Sequence, residues 1–238
     1  MKYFEMHDEV YEKLSKSRKV SWDGIESPEK LFEHEVNIAL SERIDYYFPE
    51  KEGVKAIDFG CGTGTASLYL AKLGFDVKGF DVSPKAIEMA NQNKKELNLA
   101  AEFQACDLTE LNNLDADFSV DSSLLHCLVD WEHRKKFFEL CADITFIHTM
   151  IEADDMSEMT DRDYLTFQDG ILWSAGPDRW DMDWHEIDGR RMFKHRRISS
   201  EKNFLQEVEE NGFEMMEYYL KPQEKSSYTL VGWIRRKK

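Results

Sequence analysis

The stretch Val54 to Ala71, VKAIDFGCGTGTASLYLA, constrains the fold of this chain more than any other. Val54 to Phe59 is a short apolar run broken only by Lys55 and Asp58, and it reads as a buried strand. Gly60, Gly62 and Gly64 follow within five residues. Ala66, Leu68, Leu70, Ala71 and Leu73 then set a helical pattern that Gly74 stops. Glycine accepts positive φ and lets backbone approach a ligand, and a helix N-terminus presents unpaired N–H groups. Strand, glycine turn and helix together make a nucleotide-cofactor cradle. The spacing is GxGxG, with Thr65 where a dinucleotide fold needs its third glycine. Asp58, just before the first glycine, repels a pyrophosphate and suits a cofactor carrying a cationic amine.

Further acids recur at strand ends. Gly74 to Asp81, GFDVKGFD, alternates into a second strand and ends in Asp81, twenty-one residues after Gly60. An acid there accepts both hydroxyls of a ribose; the alternative is an acid at a helix start, favoured by the macrodipole. Ser83 and Pro84 open a helix with Ala86, Ile87, Ala90 and Leu97 inward. Residues 101–108, AEFQACDL, read as a third strand ending in Cys106, Asp107 and Leu108. Ala116 to Leu128 is a fourth strand running into a loop, Trp131 to Leu140 a helix, and Asp143 to Thr149 a fifth strand.

The string IDFGCGTG resembles the first motif of the class I S-adenosylmethionine (SAM)-dependent methyltransferases. That resemblance implies an α/β fold: a three-layer α-β-α sandwich around a seven-stranded, mostly parallel sheet with one antiparallel strand. It implies SAM as cofactor and S-adenosylhomocysteine as product. Asp58, Gly60, Cys61, Gly62 and Gly64 would line the turn, and Asp81 and Val82 would sit at the ribose. Asp107 would accept the adenine amino group with Leu108 on the ring; the plainer reading is a turn acid. Asp121, Ser122 and His126 fall where the family borders the methionine part and the transferred methyl. His126 is a candidate catalytic base there, or else a structural histidine. Neither a (D/N)PPY motif nor a Pro-Cys pair follows, so small-molecule methylation is expected rather than methylation of a nucleobase or an amide.

The resemblance covers residues 54–150 and 199–235. Residues 27–48 read as one helix, with Ser27 as N-cap and Pro28 at its first position. Residues 1–26 read as an N-terminal flap, 27–152 with 199–238 as the core, and 153–198 as an inserted cap. A helix from Ser199 stopped by Gly212, then a hairpin, closes the fold. Acceptor contacts are expected from Tyr11 and Trp22 in the flap and from Trp173, Trp180, Trp184, Arg190 and Arg191 in the cap. The alternative is that the tryptophans form the insertion's own core and the basic residues pair with surface acids. His185, His195, Tyr11 and Tyr164 are further candidates for a base or an orienting group, and no metal ligand set is expected.

The formal net charge of −16 argues against nucleic acid and against acidic membrane surfaces. No signal peptide or apolar run of membrane-spanning length is expected. Cys61, Cys106, Cys127 and Cys141 lack metal-ligand pairing and read as reduced residues of a cytoplasmic monomer. The expected activity is methyl transfer to N, O or S of a small molecule, an anion among the candidates. The alternatives are another SAM- or nucleoside-using transferase, such as an aminopropyl transferase, and a non-catalytic SAM-binding protein.

Overall fold

The computed structural model describes residues 5–157, 164–175, 183–223 and 227–238. Seven strands form one sheet: β1 (Lys55–Phe59), β2 (Asp76–Asp81), β3 (Glu102–Ala105), β4 (Phe118–Ser122), β5 (Ile144–Glu152), β10 (Phe213–Pro222) and β11 (Ser227–Arg236). Their order is β10-β11-β5-β4-β1-β2-β3. β1 runs parallel to β2 and β4, and β2 parallel to β3, whereas β10 and β11 are antiparallel. The expected mixed sheet is therefore present. The chain divides into two compact units, one built from residues 4–122 and 140–146, the other from 123–139 and 147–238.

In the first unit, α4 (Thr65–Leu73) is bounded by glycines in the left-handed region, Gly64 at φ 87° and Gly74 at φ 103°. Helix α5 (Pro84–Leu97) starts as its sequence dictates: Ser83 accepts from the Ala86 N–H and Pro84 occupies the first turn. Phe59, Leu68, Leu70 and Phe118 are fully buried and anchor the core. Helix α1 (Glu5–Lys16) packs Tyr11 and Leu14 on Ala86 and Met89 of α5.

Residues 27–48 do not form one helix. They break into a 3-10 turn (Pro28–Glu33), α2 (Glu35–Ser41) and α3 (Ile44–Tyr47), and the Ser27 side chain makes no cap bond. Tertiary partners explain the break. His34 takes ψ 144° and accepts from the Val36 N–H, while its Nε2 meets Asp23 at 2.8 Å. The buried Asn37 amide donates to the carbonyls of Leu31 at 2.8 Å and Thr65 at 3.1 Å. His34 and Asn37 thereby pair with groups of distant segments, the Asp23 carboxylate and the Thr65 carbonyl.

In the second unit, β6 (Leu165–Gln168), β7 (Ile171–Ser174), β8 (His185–Ile187) and β9 (Arg190–Arg197) form a separate antiparallel sheet in the order β6-β7-β9-β8. Ile171, Trp173 and Met192 make its core, with Val129, Ala175 and Ile187 packed against them. Helix α6 (Trp131–Leu140) is tied to α7 (Glu201–Glu210) by a buried ion pair, Arg134 to Glu207, with both bonds at 2.6 Å. Among the described residues no helix is long and apolar enough to cross a membrane. All four cysteines are free thiols.

Candidate functional site

The glycine turn lies in the first unit. Gly60, Gly62 and Gly64 all take positive φ, 65°, 53° and 87°, a backbone that side chains resist. At Gly62 an added Cβ would also stand 2.9 Å from the Tyr11 hydroxyl, so α1 reaches the turn. Cys61 is buried against Gly79 of β2, where a Cβ would lie 2.9 Å from its sulfur. Burial pushes its thiol well above the ordinary range, which makes it packing rather than a nucleophile.

Three acids follow the strand ends. Asp58 is fully buried; its Oδ2 accepts from the Ser67 N–H at 3.1 Å and hydroxyl at 2.6 Å, and its Oδ1 accepts from Ser122 at 3.1 Å. Burial raises its pKa to about 6, and the hydrogen bonds from Ser67 and Ser122 oppose the rise. Asp81 accepts from the main-chain N–H groups of Gly62 and Ser83, each at 2.8 Å, and burial likewise lifts its pKa to about 6. Asp107 is half-buried, and its Oδ1 accepts from the N–H and hydroxyl of Thr109 at 2.9 and 2.8 Å. That is the turn geometry of the plainer reading, yet Oδ2 stays open to a donor. Val82 and Leu108 are half-buried beside these acids, and Asp121 is buried in β4.

This donor set tests the cofactor. A buried carboxylate at β1 matches an ammonium, a two-oxygen acceptor at the end of β2 matches a diol, and an acid after β3 matches an exocyclic amine. The positive-φ glycines leave room for backbone to meet a ligand. The residues present fit SAM.

In the second unit the segment after β4 is held tightly. Ser123 takes φ 79°, a costly conformation for a residue with a side chain. Its N–H donates to the His148 carbonyl at 2.9 Å, and its hydroxyl meets His148 Nδ1 at 3.1 Å. His126 is buried, and its Nδ1 receives the Met150 N–H at 3.3 Å beside the Thr149 hydroxyl, also at 3.3 Å. Burial first, then the charge of Arg196, holds its pKa well below the usual imidazole value. With Nδ1 accepting a main-chain N–H, the neutral ring carries its proton on Nε2. Such a ring offers a hydrogen-bond donor more readily than a base.

The remaining candidates are dispersed. Trp22 is 41% exposed, with its ring 5.5 Å from His7 and 5.3 Å from Tyr11. Trp173 lies in the core of the inserted sheet, and its ring sits 5.1 Å from His185. Trp184 packs edge-on to Phe193 at 5.6 Å with Arg191 over its face at 4.9 Å. Arg190 donates to the Thr166 hydroxyl at 2.7 Å, and Tyr164 is exposed. Trp180 lies outside the described residues.

Several partners of these groups carry no sequence signal. Asp8 accepts from the Ser83 hydroxyl and from the Lys85 N–H at 3.2 Å, across more than seventy residues of chain. Ser67, Ser123, His148 and Arg196 are equally invisible to spacing. For Ser67 alone a hint existed, a small polar residue one turn into the helix after the glycines.

A family model described as methyltransferase domain matches residues 50–154. A tRNA (uracil(54)-C(5))-methyltransferase of Pyrococcus abyssi is 45% identical over 71 residues, covering 30% of this chain and 14% of that protein. A ribosomal protein L11 methyltransferase of Dictyoglomus thermophilum is 40% identical over 77 residues, covering 32% and 25%. The chain thus spans no more than a quarter of the length of these two relatives. An S-adenosylmethionine-dependent methyltransferase from Clostridium acetobutylicum shares the fold at TM-score 0.64 and 14% identity, over 96% of this chain and 99% of that one. Residues 50–154 thus match a methyltransferase-domain model, and the chain shares the fold of an S-adenosylmethionine-dependent methyltransferase.

Proposed function

We propose that this chain transfers a methyl group from SAM to an N, O or S nucleophile of a small molecule. The observation that carries the reading is the run of acids at the ends of β1, β2 and β3 around a turn of three positive-φ glycines. Asp58 would meet the ammonium, Asp81 the ribose diol and Asp107 the adenine amine, with Asp121 and Ser122 beside the methionine part. The bound cofactor supplies an activated methyl on a sulfonium. The protein then chiefly orients the acceptor and excludes water, and orientation of this kind is worth on the order of 7–11 kcal/mol. Residues 1–26 would act as a flap, since Tyr11 of α1 reaches Gly62, and 153–198 as a cap. The free thiols fit a reducing cytoplasm.

Release of S-adenosylhomocysteine with a metabolite panel tests the activity. It also separates methyl transfer from an aminopropyl transfer and from a non-catalytic SAM-binding protein. Asp81→Ala should weaken cofactor binding by roughly 1–3 kcal/mol, because two hydroxyl donors lose their acceptor. Calorimetric titration checks this, and equal affinities would remove Asp81 from the ribose site.

A small acceptor is favoured over nucleic acid by the net charge of −16. The basic run of β9 does not offset it, because three of its five charges are engaged locally. Arg191 stacks on Trp184, Lys194 pairs with Asp130 at 3.4 Å, and Arg197 donates to the Val129 carbonyl at 2.7 Å. Gel shifts with duplex DNA and tRNA should show no binding at physiological salt. Salt-sensitive micromolar binding would overturn the small-molecule reading.

A further inference from the structure

Arg196 differs from its neighbours on β9. It is half-buried, and among the described residues its one side-chain bond goes from Nη1 to the adjacent His195 carbonyl at 2.8 Å. Among the described residues no carboxylate lies within ion-pair distance of it. A guanidinium has five N–H donors in a planar fork suited to a carboxylate. In a chain with 47 acids and 31 Lys and Arg, a half-buried arginine with no acid partner among the described residues can take an anion from elsewhere.

The backbone aims it. Leu172 pairs with Arg196 and Trp173 with Lys194, so His195 is the extra residue of a β-bulge. Bulges interrupt strand alternation and re-aim the side chains beside them. Strand β9 packs against the 125–127 turn, and the Arg197–Val129 and Lys194–Asp130 contacts hold it there. That turn carries His126, whose Nδ1 is occupied and whose donor is therefore Nε2. Arg134, also in this region, is neutralised by Glu207. Arg196 thus brings an uncompensated cation to the neighbourhood of a neutral imidazole donor, and all these residues belong to one compact unit.

We propose that Arg196 and the Nε2–H of His126 form a binding site for the carboxylate of a small organic acid. The anion site does not depend on the methyltransferase reading and is tested without turnover. His126 is here a positioning donor and not the base.

The probes are benzoate, salicylate, hexanoate and glutarate, each beside its primary amide, titrated with S-adenosylhomocysteine present and followed by ligand-observed NMR. Acids should bind and amides should not. Arg196→Gln should weaken acid binding roughly 10- to 100-fold, as loss of a charged bidentate contact does. Arg196→Lys should keep part of it, which guards against misfolding of the glutamine variant. Nitrogen-15 spectra of the histidine side chains should show His126 as the neutral Nε2–H tautomer from pH 6 to 8. The inference is overturned if no acid binds, if amides bind as well as acids, if Arg196→Gln leaves acid affinity unchanged, or if His126 is an Nδ1–H tautomer or an imidazolium. Arg196-dependent acid binding without release of S-adenosylhomocysteine from SAM by any candidate would sink the methyltransferase reading and leave the anion site standing.

Discussion

Replacing Arg134 with methionine destabilises the protein by about 3–5 kcal/mol, the cost of leaving a buried charge without its partner. Arg134 is 2% exposed and Glu207 is 6% exposed. The guanidinium also donates to the carbonyls of Leu125 and, at 3.3 Å, Leu128. One side chain therefore satisfies a buried carboxylate and two carbonyls flanking His126. In a chain of this length each kcal/mol moves the thermal midpoint by roughly 2–4 °C, so a drop of about 6–20 °C is expected. The double variant Arg134→Met/Glu207→Met should recover most of it, because a buried ion pair exchanged for apolar groups of similar volume is often neutral or better. The single variant should also loosen the 125–128 turn, read as faster amide exchange at His126. A single-variant midpoint within a degree of wild type would mean that Glu207 finds water or another donor.

Affinity for S-adenosylhomocysteine falls steeply as pH is lowered through about 6. Asp58 and Asp81 both titrate near 6 because burial disfavours their charged forms. A carboxylate is what an ammonium and a ribose diol require, so protonation removes the acceptor. Below pH 6 each obligate carboxylate lowers affinity roughly tenfold per pH unit, and the two together up to about a hundredfold. The sign for the ligand-free fold is consistent. An acid with a raised folded pKa contributes stability that is fully present below its unfolded value, near 3.8, and is lost as pH rises through about 6. The ligand-free protein therefore loses stability from pH 4 to 6, and cofactor binding restores it at neutral pH. Calorimetry at pH 5.0 and 7.5 should show proton release at the lower pH. Asp58→Asn should remove about half of the pH response. A flat affinity between these pH values would mean that neither carboxylate meets the ligand.

Local chemistry was legible from the chain alone wherever a residue's own backbone preference sets its structure. The glycines at 60, 62 and 64 announce positive φ, and all three have it. Ser83 and Pro84 announce a helix start, and α5 begins at Pro84. Trp131 to Leu140 is the helix its pattern describes. The seven-stranded sheet was implied by the resemblance that the glycine turn carries, and it is present.

Tertiary structure decided everything that depends on partners distant in sequence. The apolar period of residues 27–48 describes a helix, yet Asn37 finds Thr65 and His34 finds Asp23, and the segment forms three short pieces. Trp173 has the composition of a ligand contact, but β9 lies beside it and it fills the core of the inserted sheet. Among five basic residues in one run, Arg196 is distinguished from Lys194 and Arg197 by a single bulge and by where Asp130 and Val129 lie. Periodicity and propensity act over a few residues, so the sequence by itself determined the elements and the cofactor turn. Burial, charge compensation and side-chain direction arise only when distant segments meet, and those set the pKa values of Asp58 and Asp81, the tautomer of His126 and the open fork of Arg196.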